Sequence, residues 1–171
     1  MKTRSFLTSM FIFFILQHMS AQSSMNDWKK YTGKWKAVVT MWMMPGDPAM
    51  VDSLVVENEM VMNDLFFTSK YSGTMMMMNY QALRTIAYDV VKKKFVSTFI
   101  DNMNSGIDYK EGVANGKTIE LLGTKPDPIS GKNLSTRDLI TFTDGSHMSI
   151  QQFETLDGNE RKTLEINLTR Q

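Results

Sequence analysis

The sequence predicts an all-β protein: a single antiparallel up-and-down β-barrel of about ten strands. Three observations predict it. Apolar and polar residues alternate with period two along most of the chain, the signature of half-buried strands. Turn pairs recur along the chain between the apolar segments: Asn63-Asp64, Lys92-Lys93, Asn115-Gly116, Asp144-Gly145 and Asp157-Gly158. No segment carries a convincing helical repeat. Consecutive hairpins imply sequential antiparallel pairing. Closing the sheet hides the edges that so many strands would otherwise expose. A two-layer β-sandwich is the alternative.

The elements follow in order. Residues 26–31, before Gly33, suit one short turn of helix. Residues 34–44 form the first strand. Segments 53–62 and 65–72 flank Asn63-Asp64, and 81–89 and 94–101 flank the polar Lys92-Lys93 turn. Segments 107–114 and 118–124 flank Asn115-Gly116, the strongest short hairpin signal in the chain. Segments 135–143 and 147–156 flank Asp144-Gly145, and 161–170 ends the chain.

Parity then assigns faces, because alternate side chains point to opposite sides of a strand. Trp35, Ala37, Val39 and Met41 share the inner face of the first strand. Leu54, Val56, Asn58, Met60 and Met62 share that of the second, with Glu57 and Glu59 pointing out. Leu65, Phe67, Ser69 and Tyr71 face in from the third, and Leu164, Ile166, Leu168 and Arg170 from the last. An apolar lining with sparse polar anchors is what small-molecule pockets have. It is also what a well-filled barrel core has.

Composition narrows the function classes. The chain has 171 residues, a length that fits one domain. Nineteen basic and 18 acidic residues give a net charge of +1, too little to draw it to nucleic acid or an anionic membrane. Cysteine is absent, which removes disulfides, thiolate metal sites and a Cys nucleophile. Residues 1–21 carry Lys2 and Arg4, then an uncharged apolar run from Phe6 to Leu16, then small residues at Ser20, Ala21, Ser23 and Ser24. That is a secretory signal peptide, cut after Ala21 or after Ser23. The run is too short to span a membrane. Residues 22–171 are then the single barrel domain, exported to the periplasm or outside the cell. Removing residues 1–21 takes two basic residues and no acid, moving the net charge to −1, and leaves His147 as the one histidine.

Gly33-x-Trp35 at the start of the first strand, with a basic residue ending the last, resembles the calycin barrels, which include lipocalins and fatty-acid-binding proteins. That resemblance implies that Trp35 closes one end of the barrel and that Arg170 lies over it. A broader match resembles the bacterial family called domain of unknown function 1579. It is carried by Gly33-Lys34-Trp35, Pro45-Gly46-Asp47-Pro48, Tyr71-Ser72-Gly73-Thr74-Met75, Tyr88-Asp89, and the run from Lys94 to Met103. Gly112, Asp127-Pro128-Ile129-Ser130-Gly131, Arg137 and the run from Glu165 to Arg170 extend it. Departures are Ala87 where the family usually has Gly, Phe99 where it has Trp, and Met76-Met77-Met78-Asn79 in place of a Gly-rich stretch. The resemblance implies a calycin-like barrel and no assigned activity.

Candidate chemistry is sparse. His147, just past Asp144-Gly145, reads as a rim residue, since a metal site needs several ligands. Sixteen methionines are soft ligands that suit Cu(I), but alternation sends neighbours in a run to opposite faces, and Met more often fills irregular gaps. Asp89, Asp101 and Asp127 fit turn capping. No cofactor or metal is expected. The expected function is binding of a small apolar or amphipathic ligand inside the barrel, with Tyr71, Asn58 or Arg137 fixing its polar end and Met60 and Phe67 lining it. A filled barrel serving as a structural or protein-interaction domain, or an enzyme of unknown reaction, are the alternatives.

Overall fold

A computed structural model describes residues 25–44, 46–127 and 131–171. The expected signal peptide, residues 1–21, lies outside them. Ten strands follow one short 3-10 helix (Asn26–Tyr31): β1 (Gly33–Met41), β2 (Met50–Val61), β3 (Phe66–Met75), β4 (Met78–Asp89), β5 (Lys94–Asp101), β6 (Asp108–Asn115), β7 (Thr118–Pro126), β8 (Asn133–Asp144), β9 (His147–Leu156) and β10 (Asn159–Arg170). Each strand pairs antiparallel with the next, and β10 pairs with β1, so the barrel is closed. Closure leaves no edge among the described strands, the condition that selects a barrel over a sandwich.

The inner face follows the alternation. Trp35, Ala37, Val39 and Met41 are all buried, as are Leu54, Val56 and Asn58 on β2 and Phe67, Ser69 and Tyr71 on β3. Met60 is half-buried and Met62 exposed. Ile166 and Leu168 are buried on β10, which bulges between Lys162 and Leu164.

One tight turn departs from the expected chemistry. Strands β3 and β4 run on to Met75 and Met78 and are joined by Met76-Met77, both with positive φ, 53° and 62°. Such turns favour Asn and Gly. Here the Met76 amide donates to the Asp52 carboxylate at 2.9 Å, and the Met76 side chain packs against the core. A side chain from the neighbouring strand holds a turn that local residue preference does not favour.

The two ends of the barrel differ. The 3-10 helix plugs one. Trp28 sits with its ring centroid 5.0 Å from that of Phe67, 5.8 Å from Phe95 and 4.8 Å from Phe142, and Tyr31 lies 4.4 Å from Phe142. Met25, at the start of the helix, is fully buried. The connections β1–β2, β3–β4, β5–β6, β7–β8 and β9–β10 cluster at the opposite end, the mouth. Methionines gather there: Met41, Met43, Met44, Met50, Met75, Met76, Met77, Met78 and Met103. Met43, Met44, Met77 and Met78 are exposed, while Met50, Met76 and Met103 pack against the core.

Candidate functional site

Several expected site residues belong to the plugged end. The Asn58 amide donates to the Tyr31 carbonyl at 3.2 Å and approaches the Met148 sulfur at 4.0 Å. Phe67 packs on Trp28, and the Trp35 indole donates to the Tyr31 carbonyl at 3.0 Å. Arg170 caps the assembly, with its guanidinium 4.8 Å from the Trp35 ring. It donates to the carbonyls of Thr32 at 2.8 Å, Gly145 at 2.9 Å and Lys30. Gly33 makes this approach practicable: its φ is +109°, and a Cβ there would lie 3.3 Å from the guanidinium. These residues hold the helix in place. Arg170→Ala is expected to cost about 2–3 kcal/mol, since it removes charge-assisted hydrogen bonds and a cation–π contact. Arg170→Lys should recover only part of that, because an ammonium lacks the planar fork. Urea denaturation midpoints of the two variants check this.

Arg137 does not face the interior. It lies on the outer face of β8, where it donates to both Glu160 oxygens at 2.9 and 2.6 Å. Its guanidinium stacks 4.3 Å over Phe153, and Glu120 stands 3.6 Å away. The reason is parity: Leu134, Thr136, Asp138, Ile140 and Phe142 are the buried set of β8, so Arg137 points out.

That same parity turns a charge inward. Asp138 is fully buried. Its carboxylate accepts from Arg84 Nη1 at 3.0 Å, from Lys110 Nζ at 2.7 Å and from Gln152 Nε2 at 3.3 Å. Lys110 is itself buried and also pairs with Asp108 at 2.8 Å. Arg84, 7% exposed, lies 5.2 Å over the Phe99 ring. Gly123 makes room for Lys110, since a Cβ there would lie 2.7 Å from Lys110 Cγ and 2.6 Å from the Tyr109 carbonyl oxygen. Burial pushes the Asp138 pKa up, but Arg84 and Lys110 more than offset it, and the net shift is down. Burial pulls Arg84 down, and the charge of Asp138 together with its hydrogen bond brings it to a net rise. Tyr71, buried beside Arg84, is raised by its burial.

The cluster lies in the half of the barrel nearer the mouth. Asp108 begins β6, and its side chain is 17% exposed, so it joins the buried charges to the rim. Three buried polar atoms here have no protein partner: Arg84 Nε, Asp108 Oδ1 and Thr136 Oγ1. Leaving such groups unpaired costs about 1–3 kcal/mol each; one more, Asn58 Oδ1, lies at the plugged end, so the cluster is distinguished by holding three of them.

Other features are ordinary. His147 is exposed and bonds Asp144 at 3.0 Å. Asp89 accepts from the amides of Val91 and Lys92, and Asp101 from those of Met103 and Asn104. The main chain of Asp127 pairs with Lys132 and Gly131 across its loop. A rim groove of about 190 Å³ between Trp42, Met44, Gly46, Arg161 and Lys162 is smaller than ordinary ligand pockets. Its cations are engaged, Arg161 with the Met43 carbonyl and Lys162 with Glu165. Among the described residues no group of three or more His, Asp or Glu is placed to hold a metal. No described helix is long and apolar enough to cross a membrane.

A family model described as protein of unknown function (DUF1579) matches residues 21–170. No curated protein matches the chain.

Proposed function

The chain belongs to the DUF1579 family of proteins of unknown function, and we propose that it is an exported binding protein that takes a small amphipathic molecule at the mouth of its barrel. The observation that carries this reading is the set of unpartnered polar atoms on Arg84, Asp108 and Thr136 beneath a methionine-rich rim. A polar head would reach the cluster, and an apolar remainder would lie among Met41, Met50, Met75, Met76 and Met103. Methionine is unbranched and adapts its shape to what it contacts, so a rim built of it accommodates a guest without moving strands. The aromatic packing on Trp28 makes the opposite half a solid floor. Export rests on the basic start and short apolar run of residues 1–21.

Native mass spectrometry of protein made in a bacterium and purified without detergent tests the reading. We expect a mass excess that disappears on denaturation and that Asp108→Ala reduces, while Arg137→Ala, on the outer face, leaves it intact. No mass excess, together with no thermal stabilisation across a panel of amphipathic molecules, would overturn it. Attention would then pass to the exposed apolar stripe of Ile100, Ile107, Tyr109, Val113 and Leu122 as a surface for a protein partner.

A further inference from the structure

We infer, resting on the binding reading above, that the head group taken by the cluster is uncharged and carries both a hydrogen-bond acceptor and a donor, as a primary carboxamide does. The inference follows from charge balance. Arg84 and Lys110 supply two positive charges, and Asp108 and Asp138 two negative ones. Each is already engaged: Lys110 with both carboxylates at 2.8 and 2.7 Å, Arg84 with Asp138 at 3.0 Å. A carboxylate entering this site would find both cations neutralised, and its own desolvation would go uncompensated. An ammonium would meet the same difficulty with the two anions.

What remains open is hydrogen bonding of mixed sense. Arg84 Nε–H needs an acceptor, Asp108 Oδ1 needs a donor, and the Thr136 hydroxyl serves either way. A carboxamide offers a carbonyl oxygen to Arg84 and an N–H to Asp108, with no change in net charge. Phe99, already under the Arg84 guanidinium, supplies an apolar wall beside it.

The test titrates the full chain with decanamide, decanoate and decylamine by calorimetry. These probes share an apolar tail and differ in the charge of the head. Decanamide is expected to bind at least about tenfold more tightly than either charged analogue. Thr136→Val should weaken decanamide binding roughly fivefold, the effect of one neutral hydrogen bond, and should leave the melting temperature unchanged or raised. Tighter binding of decanoate or decylamine would overturn the neutral-head inference and leave the mouth as a binding site. Failure of all three to bind also overturns it, and the native mass excess then decides separately whether the barrel binds anything. Unchanged affinity in Thr136→Val would remove that hydroxyl from the site.

Discussion

Asp138→Asn is expected to destabilise the barrel by about 3–5 kcal/mol, the usual cost of removing one partner from a buried ion pair. For a chain of this size that lowers the melting temperature by roughly 6–20 °C. The side chain keeps its shape, so the loss is one of charge. Arg84 and Lys110 would share a single anion, Asp108, in place of two. The pH dependence gives a second readout. The folded-state pKa of Asp138 is depressed, so its contribution is present above the ordinary carboxylate value near 4 and is lost as pH falls through the lower, folded value. Wild-type stability should therefore fall steeply on acidification, and the Asp138→Asn variant should show a flatter acid limb. Equal slopes would mean that Asp138 carries no net linkage.

A companion variant separates stability from function. Buried ion pairs are often matched or bettered by apolar residues of similar volume. A chain carrying Arg84→Met, Lys110→Met, Asp108→Leu and Asp138→Leu together, which leaves no charge of the cluster unpaired, is expected to fold with stability near wild type and to lose ligand binding. That result would mark the cluster as a binding device that the fold tolerates.

The second large effect concerns the plug. Trp28→Ala should cost about 3–5 kcal/mol, as large aromatic deletions in cores do. Trp28 touches Phe67, Phe95 and Phe142 on three separate strands, and no single neighbour can fill the gap. Loss of Trp28 should also loosen the hydrogen bonds that Asn58 and Trp35 make to the Tyr31 carbonyl. Amide hydrogen exchange would then quicken in residues 26–32 before it does in the middle of β8 or β9. Uniform exchange across the barrel would contradict a helix whose docking depends chiefly on Trp28.

Much of the fold is legible in the sequence because it is local. Asn115-Gly116 and Asp144-Gly145 name their hairpins, and the inner faces of β1 and β3 follow from alternation alone. The Met76-Met77 turn is not legible, since its support comes from Asp52 on a neighbouring strand. The charge cluster escapes sequence reasoning for a related reason. Arg84 and Asp138 are 54 residues apart, and Lys110 and Asp138 are 28 apart, so no sequence spacing joins them. One signal is available: Leu134, Ile140 and Phe142 share parity with Asp138, which places Asp138 inside and Arg137 outside. Reading Arg137 for its charge, apart from that parity, puts it on the wrong face. Asn58 and Phe67 do turn inward as alternation requires, but they meet the helix at the plugged end, which strand parity does not specify.

The methionines among the described residues divide between the two ends, and this makes them reporters of where a ligand sits. Methionine-methyl NMR of the full chain, titrated with decanamide, is therefore the most direct measurement. Binding at the mouth predicts shifted resonances for Met41, Met50, Met75, Met76 and Met103, with Met25, Met60 and Met148 unmoved. Shifts confined to Met25, Met60 and Met148 would contradict a ligand site at the mouth.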